Sequence, residues 1–304
     1  MYRRCLLILL AVGGMTHVHS MANSPTPAKA ESSADWRTRA TATLVEMMHR
    51  EPTWVGIHAA EALIRHGEGE QVRAFFLGPD GAAFPRIGRL RVLATLASEP
   101  AKNDLVREIE TVFLDPAAPD RKQAVETLAK LRHPLSPEAR TLAQSLAAEM
   151  PASEAVLPLW SLHYSGDATA VKKLTQLLTA EDPLARQRAG YALRWIGTKD
   201  TAVLKALALA AEREAPMSLP RVFLLSSALQ LAANPDPAQQ KIWKQELFSR
   251  LTTGPSAAAY EAGQTLGPWV TPKDIPELLR LLSHPEGDTQ IGAALLLLSS
   301  ASRS

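Results

Sequence analysis

Along most of this chain apolar residues return every third or fourth position, the period that gives a helix one dry face. The clearest stripe is Ala185, Ala189, Ala192, Leu193 and Ile196. Before it, Val171, Leu174, Leu177 and Leu178 form another, and Glu181-Asp182-Pro183 turns the chain between the two. Gly197 follows the later stripe, where helices commonly end on a left-handed residue. Ala189 and Gly190 are small, so a neighbouring helix can approach closely there. No segment alternates apolar and polar residues for long, and the fold class is therefore all-α.

This helix–turn–helix unit recurs. Prolines stand at Pro52, Pro85, Pro119, Pro151, Pro183, Pro220, Pro255 and Pro285, with gaps of 33, 34, 32, 32, 37, 35 and 30 residues. Each precedes an apolar segment, and proline suits a helix's first turn because its missing N–H had no partner there. The first helices of the pairs are predicted near 35–50, 69–77, 102–113, 137–149, 168–179, 201–214, 237–251 and 273–282. Ser136-Pro137-Glu138 and Asn234-Pro235-Asp236-Pro237 are start signals for two of them. A period of this length marks stacked helical units, none able to bury its apolar face alone. The expected architecture is a right-handed α-solenoid of about eight antiparallel pairs. Its second helices would line a concave face.

The ends of such a stack need polar outer faces. Arg37, Arg39, Glu46 and Arg50 can supply one at the start. The last helix cannot, because Ile291 to Leu298 is apolar nearly all round. It is expected to pack on the preceding pair with some surface left bare, or to dock a partner or a second copy of the chain.

The stretch Asp182 to Gly197 resembles the HEAT-like repeat, of the kind also called the phycobilisome-lyase-type HEAT repeat. It has Asp182-Pro183, Arg186 three residues later, the small pair Ala189-Gly190, then Ala192-Leu193 and the closing Gly197. Glu51 to Gly67 is similar but degenerate, with Gly56 where the pattern has arginine. The other units match in length, proline and apolar spacing, and the resemblance covers roughly residues 34–300. It implies an armadillo-like helical fold and no particular activity. Some relatives of this type attach chromophores to cysteines, but no lyase-specific motif is present.

The N-terminus is a different object. Arg3 and Arg4 precede the apolar run Cys5 to Gly14, and Ser20-Met21-Ala22 is a small-x-small cleavage pattern. Residues 1–22 therefore read as a secretory signal peptide, residues 23–33 as a flexible leader, and residues 34–300 as the repeat domain. The apolar run is short of the roughly 20 residues that span a bilayer, so the mature protein is expected in the periplasm or secreted. Cleavage would remove the single cysteine, and with it thiolate catalysis and disulfides. It would also remove two arginines and no acids, leaving 31 Lys+Arg against the 31 Asp+Glu of the chain. A net charge of zero leaves no basic footprint for nucleic acid.

Candidate chemistry is sparse. There is no phosphate loop, nucleophile elbow or dinucleotide fingerprint, and no cofactor or metal is expected. His58, Glu61 and His66 share one helix and form a weak cluster for a lyase or hydrolase acting on an acidic polymer. His66 equally suits the negative end of its helix. Arg86, Arg89, Arg186, Arg188, Arg194 and Arg221, with Trp54 and Trp195, fall on second helices as candidates for a concave binding surface. Trp160 and Trp269 lie at or near second helices as well. Forked arginines and flat aromatics suit a peptide or glycan, whereas Arg186 can also serve the Asp182 loop. The reading that follows is a non-enzymatic scaffold for a protein or glycan partner. The alternatives are the polymer-cleaving enzyme and a homo-oligomer joined through Ile291 to Leu298.

Overall fold

The structure is a computed structural model that describes residues 33–231 and 236–301. The signal peptide, nearly all of the leader, and the Asn234-Pro235 half of one start signal lie outside those residues. The described residues contain α-helices, two short 3-10 turns and no strand. No helix among them is long and apolar enough to cross a membrane.

The first helices are α1 (Ser33–Arg50), α3 (Gly69–Leu77), α5 (Ala101–Leu114), α7 (Pro137–Glu149), α9 (Ala170–Leu177), α11 (Thr201–Arg213), α13 (Pro237–Thr253) and α15 (Ile275–Leu281). The second helices are α2 (Trp54–Arg65), α4 (Arg86–Leu96), α6 (Arg121–Lys130), α8 (Ala152–Tyr164), α10 (Pro183–Ile196), α12 (Leu219–Leu231), α14 (Ser256–Leu266) and α16 (Gly287–Ala301). All eight first helices agree with their predicted bounds to within two residues. Every marker proline stands just before a second helix or in its first turn.

Local chemistry explains these boundaries. The Asp182 carboxylate accepts a hydrogen bond from the Leu184 amide at 2.9 Å, Pro183 opens α10, and Gly197 closes it at φ 77°. Asp200 caps α11 through the Ala202 amide at 2.8 Å, and Ser136 caps α7 through the Ala139 amide at 3.3 Å. Such caps satisfy amides that have no partner inside the helix. At the degenerate unit, a side chain on Gly56 would begin 2.1 Å from the Glu51 carbonyl oxygen, so that position has no room for the arginine of the pattern.

Each first helix packs on its own second helix, and each second helix packs on the next, from α2 through α4, α6, α8, α10, α12 and α14 to α16. The series does not stop there. Helix α16 also packs on α1 and α2, so the first and last described helices meet. This answers the question of the apolar last helix. Ile291, Leu296, Leu297 and Leu298 are fully buried and Leu295 is 4% exposed, covered within the chain by α14, α15 and α1. The bare surface expected of it, on which the homo-oligomer alternative leaned, is absent. The fit depends on two glycines. A side chain on Gly263 of α14 would begin 2.4 Å from the Gly292 Cα of α16, so the two backbones touch.

Candidate functional site

The second helices turn their charged residues toward one another, and a polar centre results. Glu61 of α2 accepts from the Arg91 guanidinium of α4, Nε to Oε1 2.6 Å. Lys130 and Glu126 pair along α6 at 2.9 Å. Arg194 of α10 reaches past α12 to make two contacts with Glu261 of α14, and both side chains are buried. His58 of α2 bonds Asp288 of α16 at 3.1 Å and stacks on the Tyr260 ring of α14, centroids 4.1 Å apart and nearly parallel. Arg65 of α2 bonds Gln264 of α14 at 3.3 Å. The Tyr191 ring of α10 lies between the Lys130 ammonium at 5.4 Å and the Arg194 guanidinium at 4.9 Å.

Glu61, Glu126 and Glu261 thus face Arg91, Lys130 and Arg194 in a confined space, and the titration of these groups follows. Burial alone would push the Glu61 carboxyl up, but Arg91 and then Lys130 hold it down to about 2. Burial likewise opposes the charge on Lys130, yet Glu126 keeps its ammonium well above the ordinary lysine range. Burial raises the Tyr260 phenol far enough that it stays protonated. A buried charge left alone is costly, so paired charges of this kind tie their helices into one arrangement. Groups held at such extremes cannot exchange protons near neutrality.

The weak cluster therefore separates. His58 and Glu61 both face the centre, each with a partner, while His66 caps the end of α2. The His66 carbonyl accepts from Arg37 of α1 at 3.1 Å. Burial, then Arg65 and Arg37, lower the affinity of its imidazole for a proton. Among the described residues no group of three His, Cys, Asp or Glu side chains is placed to hold a metal ion.

The arginines of the second helices fall into two sets. Arg194 belongs to the centre, with Arg91 and Arg65. The other candidates lie near the starts of their helices and tie them to a neighbouring unit or to their own pair. Arg86 pairs with Asp120 at 2.9 Å, and Arg221 pairs with Glu246 at 2.7 Å while donating to the Ala211 carbonyl. Arg186 pairs with Glu214 and donates to the Ala180 and Glu181 carbonyls, clamping the loop before its own helix. Arg89 donates to the Phe76 carbonyl, and Arg188 to the Ser153 carbonyl at 2.9 Å. Sequence reasoning expected the loop clamp at Arg186 but could not find Glu214, which lies one unit further on. Trp54 sits under the Arg91 guanidinium at 5.2 Å. Trp195 packs beside the buried Trp160 and near Lys130.

One opening leads toward this centre. A cavity of about 200 Å³ is lined by Lys122, Glu126, Gln187, Arg188, Tyr191 and Phe223, so α6, α10 and α12 contribute, with Leu157 of α8. A second cavity of about 370 Å³ shares Lys122, Gln123, Leu157 and Arg188 with it, which makes the two one groove across consecutive second helices. Of the residues singled out from the sequence only Arg188 lines it. The others had no signal, because being on a second helix does not say which turn of that helix faces an opening.

No family model matches this chain, and neither do curated proteins or solved structures.

Proposed function

We propose that this chain is a non-enzymatic binding protein, exported from the cytoplasm, that holds a protein or glycan partner against its second helices. The reading takes the eight pairs as HEAT-like units of a right-handed α-solenoid whose first and last described helices meet. The observation that carries it is the groove across α6, α8, α10 and α12, where four consecutive units contribute to one opening. Tyr191 and Phe223 give it aromatic surface, while Gln187, Lys122 and Arg188 bring donors, Lys122 shared with Glu154 and Arg188 with the Ser153 carbonyl. Aromatic faces beside a few polar groups are what a sugar ring or an extended peptide requires. Against the lyase or hydrolase alternative stands the pairing of Glu61 with Arg91, which leaves its carboxylate too weak a base to take up a proton, and the place of His66 at the capping end of α2.

The test is capture. The immobilised protein is exposed to a glycan array and to an extract of the exported fraction of its own cells, at low and moderate salt. Retention of a defined ligand, lost in Gln187→Trp at an unchanged melting temperature, is the expected result. Retention of nothing, or retention indifferent to that substitution, overturns the proposal.

A further inference from the structure

Away from that groove, the middle of α13, the last residue of α14 and the segment joining α14 to α15 form a trough of about 640 Å³. Its walls are Phe248, Leu266, Trp269 and Val270, and Lys241 and Lys244 stand among them. The trough is open to solvent along its mouth and is not closed over.

Its charge is unbalanced. The nearby carboxylate, Asp274, spends one oxygen on the Thr271 amide at 2.8 Å and the Thr271 hydroxyl at 2.7 Å, which builds the turn before α15. Among the described residues neither Lys241 nor Lys244 forms an ion pair with an acid. The Lys244 ammonium donates to Gln240 at 3.1 Å and sits 5.3 Å from the centre of the Trp269 ring. A cation is therefore fixed at the lip of an apolar wall, beside an aromatic face with part of its surface still exposed. The Arg91 guanidinium over Trp54, by contrast, also has a carboxylate partner in Glu61.

We infer that this trough binds an acidic peptide segment of a partner protein, one in which a large apolar side chain is flanked by glutamate or aspartate. The apolar side chain fills the space between Phe248 and Trp269, and the flanking carboxylates meet Lys241 and Lys244. Charge complementarity selects the partner's sign and sets the encounter rate, while the tryptophan supplies the anchor that interfaces favour. The open mouth admits a peptide chain lying along the surface. This site is independent of the groove at α6 to α12 and stands even if that groove binds nothing.

The probe is a fluorescein-labelled octapeptide with a Leu-Phe pair between glutamates, followed by fluorescence polarisation against the full chain. The expected result is saturable binding that weakens at least tenfold in the Lys241→Glu/Lys244→Glu double variant. A peptide with lysines in place of the glutamates should regain that tenfold on the double variant, which a merely misfolded protein could not show. Gln187→Trp, in the other groove, should leave the affinity unchanged. Absence of binding to the unaltered protein overturns the inference, as does equal affinity for both proteins. Tighter binding of dodecanoate than of the peptide, lost in the same double variant, would assign the trough to a lipid carboxylate instead. Self-association of the unaltered chain that the double variant abolishes would assign it to a second copy.

Discussion

Helices α10 and α16 are both second helices, and they are held in different ways. Helix α10 carries one apolar stripe, and its neighbours are α8, α9 and α12, all within one unit of it along the chain. Helix α16 is apolar on nearly every side, and it packs on α1 and α2 as well as on α14 and α15. The first is satisfied by what lies next to it in sequence. The second is satisfied only when the first and last described helices meet. An all-round apolar helix at the end of a stack therefore signals a neighbour that the repeat pattern cannot name.

The sharpest break of this comparison concerns a residue of α10 that does reach beyond its neighbours. Glu261→Ala would leave Arg194 buried without its partner, and such losses cost about 3–5 kcal/mol. Urea denaturation should show that decrease, and a loss under about 1 kcal/mol would mean the pair is solvated.

Next come the glycines. An alanine at Gly292 would place its methyl 2.6 Å from the Ala259 carbonyl oxygen, which is backbone and cannot move alone. The same change at Gly190 of α10 meets the Leu224 side-chain tip at 2.7 Å, which can turn aside. Overpacking costs about 1–3 kcal/mol, and Gly292→Ala should lie at the top of that range and Gly190→Ala near the bottom. Thermal melts of the two variants side by side decide it. Equal losses would show that α16 is seated no more tightly than α10.

Acid tests the centre that links them. The Glu61 carboxyl titrates at about 2 in the folded chain against an ordinary value of 4.5. A depressed carboxylate contributes stability that is complete above the unfolded value and is lost as pH falls through the folded one. The contribution, up to about 3 kcal/mol, should vanish between those two values, and Glu61→Gln should flatten the curve of stability against pH in that window. An unchanged curve in the variant would remove Glu61 from the account.

The smallest effect belongs to the ties at the surface. Arg86, half exposed, pairs with Asp120, and Arg86→Ala should cost under about 1 kcal/mol and less again in high salt. A larger loss would give these ties between units the weight assigned here to the centre.

The amino-acid order by itself determined the units. Proline at the start of a helix, aspartate or serine as its cap, and glycine at its end are interactions within a few residues, so Asp182, Pro183 and Gly197 could be read directly. The stripe of α10 was legible for the same reason, as was the close approach at Gly190. Only the tertiary structure decided that α16 meets α1, that Gly263 meets Gly292, and that Glu61, Arg91, Lys130 and Arg194 share one centre. It also decided which turns face the groove and the trough. Those arrangements join helices far apart along the chain, as His58 meets Asp288 across 230 residues. A pattern set by interactions within a few residues fixes each helix and its cap but not how distant helices are oriented to one another.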